Sequence, residues 1–264
     1  MRTIKLLIAY DGTDFCGWQR QSPSSTPLVK GAPSLEGDGA NAPCTVQGLI
    51  ESALEQMHKH PVALSGAGRT DSGVHAAGQV AHFHTDIDSI QPNRFVPALN
   101  GLLPPAIRIL ESASAAADFH ARFDARMRTY RYYFICGRQA LPHESRYALQ
   151  LWRVPRIDLL NAYCRLLPGE RDCSIFAGAG DLSQSHNRYI SHAAFFTDGS
   201  RLVFEISANA FLCKMVLSIA GTFLHYEERD TPPHTLAEII ASGRRELAGP
   251  TLPPQGLFLW KVVY

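Results

Sequence analysis

The chain has 264 residues, of which 45% are hydrophobic and 19% charged, with 25 basic side chains against 24 acidic ones. This composition is typical of a globular protein with a substantial core and excludes a largely disordered chain. A formal net charge of +1 excludes binding of nucleic acid through overall charge alone, so any basic surface has to come from local clustering. The length favours two modest domains over one large domain.

No stretch of the sequence approaches the roughly 18 apolar residues that a membrane helix requires. The apolar run near the N-terminus is too short for a signal peptide because Asp11 interrupts it. We therefore expect a cytoplasmic protein with no membrane partner. The six cysteines are scattered and form no Cys-x-x-Cys pair, which predicts reduced thiols and argues against a disulfide scaffold or a structural zinc site.

The start of the chain predicts a strand, a loop and a helix. Residues 4–10 are apolar enough for a strand, which the turn-forming Asp11 and Gly12 end. Segment 22–43 is rich in proline, glycine and serine and has no apolar periodicity, so we predict a flexible loop. Thr45 is placed to cap a helix whose apolar positions recur at helical spacing. These positions are Val46, Leu49, Ile50, Ala53, Leu54 and Met57.

The remainder of the first half predicts short strands. We expect them at 62–65, 78–85 and 107–111. Between the last two, residues 92–105 predict a short helix or turn that prolines end. The run of serine and alanine at 112–117 is our predicted domain boundary, which gives an N-terminal domain of residues 1–115 and a C-terminal domain of residues 116–264.

The second half also mixes strands and helices. The predicted strands are 129–136, 201–208 and 257–264, and a hairpin turn is expected at Asp198, Gly199 and Ser200. The predicted helices are 157–167, 211–226 and 235–242. Because each half combines strands with crossing helices, we predict the α+β class, with two subdomains built on largely antiparallel sheets.

The sequence GAGRTDSGVHA at 66–76 places Arg69 and Asp71 close together among small residues, between two predicted strands. Small residues let the backbone and a ligand approach closely, so a functional carboxylate is one interpretation of this loop. The other interpretation is that Asp71 only caps a turn, because Asp followed by Ser and Gly is common turn chemistry. Spacing alone favours the turn.

The densest basic cluster of the chain lies at 122–134, where arginines alternate with aromatic residues. The arginines are Arg122, Arg126, Arg128 and Arg131, and the rings are Phe123, Tyr130, Tyr132 and Tyr133. Cations that meet phosphates beside rings that stack on bases are a common means of holding RNA. A half-buried strand with a solvated face explains the same pattern equally well.

Two pairs of histidines have the spacing of metal ligands on a strand or turn. They are His82 with His84 and His58 with His60. A metal-dependent hydrolase would use such pairs, but the sequence has no further ligand cluster at metal spacing. We therefore interpret them as surface or core histidines and expect no metal site.

Residues 68–76, with the sequence GRTDSGVHA, resemble the signature loop of the TruA-type tRNA pseudouridine synthases. The likeness extends in the family's order to YDGTDFCGWQRQ at 10–21, TVQGLIESAL at 45–54, DFHARFDARMRTYRYY at 118–133 and ANAFLCKMV at 208–216. It covers most of the chain, and segment 22–43 resembles an insertion. The implied fold is two α+β subdomains whose sheets join into one extended sheet flanked by helices.

The resemblance implies that the protein converts uridine to pseudouridine in the anticodon stem-loop of tRNA. The reaction breaks the bond between ribose C1′ and uracil N1 and rejoins C1′ to C5, with no gain or loss of electrons. We therefore expect no cofactor, in agreement with the absence of a Rossmann or P-loop motif. The expected partners are a tRNA substrate, whose target base is flipped out, and a second copy of the chain, since similar proteins are homodimers.

The same resemblance assigns the catalytic roles. Asp71 is the carboxylate that assists cleavage of the glycosidic bond, and Arg69 either keeps it ionised or contacts RNA phosphate. Tyr130 matches the family's active-site tyrosine, which would stack on the uracil and help to remove the C5 proton, whereas Tyr132 and Phe134 are expected in the core. The expected RNA-binding residues are Arg126, Arg128, Arg131, Lys214 and His75.

The sequence departs from the family pattern at Leu217. After Met215 and Val216 the family has an arginine that pairs with the catalytic aspartate. Three explanations are open. Lys214, on the same predicted helix, supplies the cation; Arg69 or another arginine does so; or the protein is a catalytically impaired RNA-binding module. We favour substitution by another cation.

Overall fold

The computed structural model describes residues 1–20 and 44–264, so the predicted loop at 22–43 lies outside the described residues. The described residues form ten β-strands and five α-helices, in which antiparallel strand pairs predominate. The predicted α+β class is therefore confirmed. Among these residues no helix is both long and apolar enough to span a bilayer. None of the six cysteines, all of which lie in the described residues, is joined in a disulfide.

The chain divides into two compact units. The first comprises Met1–Arg126 together with Leu259–Tyr264, and the second comprises Met127–Phe258. The division lies after Arg126, whereas our predicted boundary lay in the run of small residues at 112–117. The last six residues of the sequence belong to the first unit.

The first unit contains three antiparallel strands in the order β4, β1, β3. The strands of this unit are β1 (Arg2–Tyr10), β2 (Ser65–Gly66), β3 (His75–Thr85) and β4 (Ile107–Ala115), with β2 paired to β3. Its helices are α1 (Val46–His58) and α2 (Phe95–Asn100). On the central strand, Lys5 lies opposite His82 of β3 and Ala113 of β4.

Helix α1 begins and packs as its sequence predicts. Thr45 is extended, with φ −122° and ψ 151°, and its hydroxyl oxygen accepts a hydrogen bond from the Gly48 N–H. This satisfies one of the backbone donors that every helix start leaves unpaired. Val46, Ile50 and Leu54 are completely buried, so one face of the helix belongs to the core.

Two predictions for the first unit were wrong in their bounds. The predicted strand at 62–65 is observed only at Ser65–Gly66, and the predicted strand at 107–111 extends through the small residues 112–115 as β4. The antiparallel pairing with β1, which places Ala115 opposite Thr3, extends this strand. Ser112 also donates its hydroxyl hydrogen to the Pro92 carbonyl at 2.6 Å. Tertiary pairing thus overrides a weak local preference.

The second unit contains an antiparallel sheet in the order β5, β9, β8, β7, with β6 parallel to β5. The strands are β5 (Met127–Cys136), β6 (Leu149–Leu151), β7 (Gly169–Asp172), β8 (Asn187–Asp198) and β9 (Arg201–Ala208). The helices are α3 (Ile157–Cys164), α4 (Met215–Glu228) and α5 (Pro233–Ala241). The last strand, β10 (Leu257–Val263), begins in this unit and ends in the first. The predicted hairpin turn is confirmed, with Gly199 at φ +58°.

Helix α4 lies in the core of the second unit. Its residues Ile219 and Phe223 are completely buried, and the Phe223 ring lies 5.6 Å from the Tyr163 ring and 6.4 Å from the Phe204 ring. The helix begins at Met215, not at 211 as predicted, because Lys214 has left-handed backbone angles of φ 56° and ψ 12°. A residue in this conformation cannot continue a right-handed helix.

Candidate active site

Residues 66–76, which we call the aspartate loop, connect β2 to β3 in the first unit. The Val74 N–H donates to the Asp71 carbonyl at 3.1 Å, and Gly73 between them has φ +78°, which is a β-turn with glycine at its third position. The predicted turn is therefore present, and the Asp71 backbone carbonyl closes it. The Asp71 side chain is half-buried and Arg69 is exposed.

The segment after β1 holds the aspartate loop from one side. The Trp18 N–H donates to the Thr70 carbonyl at 3.1 Å, and the Tyr10 hydroxyl lies 2.8 Å from the Thr70 hydroxyl in a buried hydrogen bond. The Ser72 hydroxyl donates to the Phe15 carbonyl at 3.1 Å. These bonds fix the residues immediately before and after Asp71, so the position of its backbone is determined by the segment at 10–18.

Two glycines allow this close approach. A Cβ added at Gly12 would lie 2.0 Å from the Val74 carbonyl oxygen, and one added at Gly17 would lie 2.8 Å from the Thr70 carbonyl oxygen. Gly17 also has φ +90°, a conformation that favours glycine. Sequence reasoning used neither glycine as a site residue, although both lie in the motif YDGTDFCGWQRQ.

Gln79 holds the start of the aspartate loop from the opposite side. Its side chain is completely buried on β3, and its amide nitrogen donates to the Gly68 carbonyl at 2.8 Å. The Ala67 N–H donates to the Val80 carbonyl at 2.7 Å. A buried and hydrogen-bonded amide of this kind fixes the loop that precedes Arg69. The sequence alone contained no signal for this role.

His75 is completely buried at the start of β3, which argues against the predicted contact with RNA. Its Nδ1 accepts the Gly12 N–H at 3.0 Å and lies 3.2 Å from an Asp11 carboxylate oxygen. The nitrogen can accept the Gly12 N–H only in the form that carries no proton at Nδ1. We assign His75 the role of holding the turn at residues 11–12.

In the second unit, β5 places Arg128 and Tyr130 on one face, because alternate residues of a strand point the same way. Tyr130 is buried, and its ring packs edge-to-face against Phe211 with the centroids 5.0 Å apart. An Arg128 Nη nitrogen donates to the Asn209 carbonyl at 2.6 Å. Tyr132, on the same face, is completely buried, as predicted for a core residue, and so is Phe134.

Arg131 lies on the opposite face of β5. Its Nε donates to a Glu205 carboxylate oxygen at 2.7 Å, and its guanidinium lies 5.6 Å from the centre of the Phe196 ring. Burial lowers the pKa of Arg131, but its hydrogen bonds to Glu205 and Tyr133 and the charges of these two groups outweigh burial, so the net shift of the pKa is upward. The structure therefore pairs this predicted RNA-binding arginine with a carboxylate and does not bring it beside Tyr130.

The prediction that Lys214 lies on the helix of Leu217 was wrong. Lys214 precedes α4 in the left-handed conformation and is exposed, whereas Leu217 is buried in the first turn of the helix. The spacing of three residues therefore does not bring the two positions to one helical face.

Arg126, another predicted RNA-binding residue, is exposed at the end of the segment Met1–Arg126 of the first unit. Its N–H donates to the Val263 carbonyl at 2.8 Å.

The histidine pairs fit the interpretation as structural residues. His58 is buried, and its two ring nitrogens lie 2.8 Å from the Leu54 carbonyl oxygen and 2.8 Å from the Thr85 hydroxyl. Burial, together with the charges of His120 and His84, lowers the pKa of His82. In the described part of the chain, no three His, Cys, Asp or Glu side chains are grouped so that they could hold a metal ion.

The sequence was also compared with known protein families. A family model described as tRNA pseudouridine synthase matches residues 6–124 and 163–264. The chain belongs to the tRNA pseudouridine synthase family. The family is one of isomerases, so the protein is an enzyme of that class. The matched residues include the aspartate loop and α4 but leave out 125–162, which contain Tyr130.

Relatives cover the whole chain. A protein named tRNA pseudouridine synthase A from Treponema denticola is 48% identical over 263 residues, covering 100% of this chain and 93% of the relative. Proteins of the same name from Exiguobacterium sibiricum and Geobacillus kaustophilus are each 36% identical, covering 100% and 99% of this chain and 97% and 94% of the relatives. The match therefore includes both compact units.

Proposed function

We propose that this protein isomerises uridine to pseudouridine in the anticodon stem-loop of tRNA, with Asp71 as the catalytic carboxylate. The observation that carries the proposal is the aspartate loop, whose signature sequence is held at Gly68, Thr70 and Ser72 by hydrogen bonds with Gln79 of β3 and with the segment at 10–18. The names of the relatives support tRNA as the substrate. Such rigid support is what a positioned catalytic group requires.

The reaction begins with cleavage of the bond between C1′ and N1, in which the electron pair leaves with the uracil and C1′ gains positive character. A carboxylate assists by attacking C1′, by stabilising its charge, or by removing the C2′ proton. The uracil then turns and C5 bonds to C1′, while any bond from the carboxylate to C1′ breaks and any proton taken from C2′ returns to it. C5 then releases its proton, and N1 takes up one proton from solvent. Atoms and electrons balance, because the product is an isomer of the substrate.

Each of these roles requires an ionised carboxylate, and a neighbouring cation favours ionisation. Leu217 is apolar and buried, so it supplies no charge. We assign the role of cation to Arg69, which lies in the same loop as Asp71. Tyr130 is assigned to stacking on the detached uracil, a contact typically worth about 1–3 kcal/mol per base. The target uridine is flipped out of the RNA stack to be reached.

The test is release of tritium from a tRNA transcript labelled at uridine C5, with no metal or cofactor added. We expect wild type to release tritium and Asp71→Asn to lose at least about 1000-fold in rate while still binding tRNA, since the amide is neither nucleophile nor base. Asp118→Asn, at an exposed aspartate outside the loop, is the matched control and should retain wild-type activity. Turnover by Asp71→Asn at the wild-type rate would refute the assignment.

A second function, tRNA binding without catalysis, is favoured by one observation, the buried leucine in place of the family's arginine. Leu217→Arg separates the two functions. If wild type is silent and Leu217→Arg restores tritium release, the chain is an RNA-binding protein that has lost its catalytic pair. If wild type is active, Arg69→Gln should lower its rate. The homodimer stays a prediction, which light scattering tests.

A further inference from the structure

The structure separates the aromatic residues of the basic cluster at 122–134 into two kinds. Phe123 is 75% exposed, whereas Tyr130, Tyr132 and Tyr133 are each 7% exposed or less. A side chain that stacks on RNA bases has to present a ring face to solvent. In this cluster, therefore, Phe123 is the ring that is available to a nucleic acid before any rearrangement.

The turn that carries Phe123 is firmly anchored. Ala121 is completely buried, its N–H donates to the Nδ1 of His82 at 3.2 Å, and its carbonyl accepts from the Tyr264 hydroxyl at 2.8 Å. The lowered pKa of His82, caused first by its burial, favours the neutral ring that can accept this bond. These bonds hold the backbone two residues before the exposed Phe123 ring. A ring on a backbone that is already ordered loses less conformational entropy when it binds a ligand.

One face of the Phe123 ring is already occupied. The His120 ring stacks on it, with centroids 4.3 Å apart and planes 29° from parallel. The Phe123 N–H also donates to the His120 Nδ1 at 3.3 Å, which keeps the two residues together. Three quarters of the residue is nevertheless exposed, so the ring still presents surface to a planar ligand.

Two cations lie near this exposed ring. Arg122 and Arg126 are exposed, and the Arg122 guanidinium lies over the ring, 5.8 Å from its centre. The nearby Asp124 carboxylate accepts the His120 N–H at 2.8 Å, so it caps the turn. A ring with arginines next to it suits a nucleotide, whose base stacks and whose phosphates are anionic.

The turn is also continuous with the aspartate loop. Buried Ala121 packs in one cluster with Ala67 and Val80, and Ala67 is the second residue of that loop. The segment that carries Phe123 and the start of the aspartate loop are therefore neighbours in the first unit. This continuity favours RNA over an unrelated protein as the ligand of the exposed ring.

We propose that Phe123, flanked by Arg122 and Arg126, is a stacking site for an unpaired base of the tRNA substrate, with the arginines meeting the adjacent phosphates. The inference rests on the proposed function for the identity of the RNA. It adds a contact surface outside the aspartate loop, and its role is to bind and orient the substrate, not to take part in the chemistry.

The test is the Kd of an unmodified tRNA transcript, measured by filter binding in the Asp71→Asn background so that no turnover is required. We expect Phe123→Ala to weaken binding by about 5- to 100-fold, and Phe123→Trp to bind at least as well as the parent. Arg122→Gln should lower the slope of log Kd against log salt by about 1. Leu182→Ala, at an exposed apolar residue of the second unit, should bind like the parent.

Three results would overturn the inference. The first is a Kd for Phe123→Ala equal to that of the parent. The second is equal weakening by Phe123→Ala and Phe123→Trp together with a lowered melting temperature, which indicates a folding defect. The third is a change in oligomeric state by light scattering at unchanged RNA affinity, which means that the ring contacts a second copy of the chain. Failure of tritium release by wild type would refute the proposed function but would leave this binding result standing.

Discussion

At the scale of single residues, the position of Asp71 depends on the absence of a side chain at Gly17. Gly17 has φ +90° and sits so close to the aspartate loop that any side chain would strike the Thr70 carbonyl oxygen. The same residue is followed by Trp18, whose N–H holds that carbonyl. The absence of a side chain at Gly17 and the hydrogen bond from Trp18 thus both affect the peptide group next to Asp71, the proposed catalytic carboxylate.

We predict that Gly17→Ala lowers kcat by about 10- to 100-fold, because displacement of a catalytic group by about 1 Å has effects of this size. The variant should also lose about 1–3 kcal/mol of stability, from strain at positive φ and from the contact with Thr70. Steady-state tritium release and urea unfolding measure the two effects.

Gly169→Ala is the matched control, since Gly169 has φ +105° and an added Cβ there would meet no atom within 4 Å. It should lose a similar amount of stability from backbone strain while keeping its kcat. Equal kcat values for the two variants would mean that the contact with the aspartate loop has no catalytic consequence.

At the scale of elements, the end of α4 is held by an ionic cluster. Glu227 is buried, and its carboxylate accepts hydrogen bonds from an Arg153 Nη nitrogen and, at 2.9 Å, from the Arg156 N–H. Burial raises the pKa of Glu227, but the bonds from Arg153 and Arg156 outweigh it and hold the pKa below the ordinary value of 4.5. The cluster ties α4 to the segment that precedes α3.

We predict that Glu227→Gln lowers the free energy of unfolding by about 1–3 kcal/mol at pH 7, because it removes a charged acceptor from buried donors. A carboxyl whose pKa is depressed in the folded state stabilises the fold above its unfolded pKa, and this contribution is lost as the pH falls through the folded pKa. The difference between wild type and variant should therefore be constant above about pH 5 and shrink below it. Urea unfolding at a series of pH values measures it.

Glu228→Gln, at the exposed neighbour, is the control and should change the free energy of unfolding by less than about 0.5 kcal/mol. A difference between wild type and Glu227→Gln that does not depend on pH would show that the ionised form of Glu227 contributes nothing.

At the scale of the whole molecule, the chain returns to its first unit at its very end. Leu259 to Tyr264 belong to that unit although more than a hundred intervening residues form the other. The close packing of this segment is visible at Gly78, where an added Cβ would lie 2.4 Å from the Trp260 carbonyl oxygen. The first unit is therefore complete only when the last residues of the sequence are in place.

We predict that Leu259→Ala destabilises the first unit by about 2–5 kcal/mol, because it leaves a cavity at a completely buried leucine. Native-state hydrogen exchange should show lost protection in β1 and β3, which lie more than 170 residues earlier in the sequence. Val263→Ala, at a partly exposed residue of the same strand, should have a much smaller effect. Lost protection confined to β8 and β9 would contradict the assignment of Leu259 to the first unit.

The sequence by itself determined the elements whose signals are local. The cap and buried face of α1, the turn at residues 198–200 and the turn at Asp71 all follow from residues within a few positions of one another. The α+β class follows from the alternation of such elements. The aspartate loop was identified by its resemblance to a family, because its spacing alone favours an ordinary turn.

Only the tertiary structure decided which residues surround the candidate site. The bond between Tyr10 and Thr70 joins residues 60 positions apart, and that between Ser72 and Phe15 spans 57 positions. The tertiary structure also decided that His75 is buried and Phe123 exposed, although the sequence analysis connected the segments of both residues with RNA binding. The physical reason is that burial and hydrogen-bond partners are set by packing between distant segments, whereas a local pattern constrains only the conformation of its own backbone.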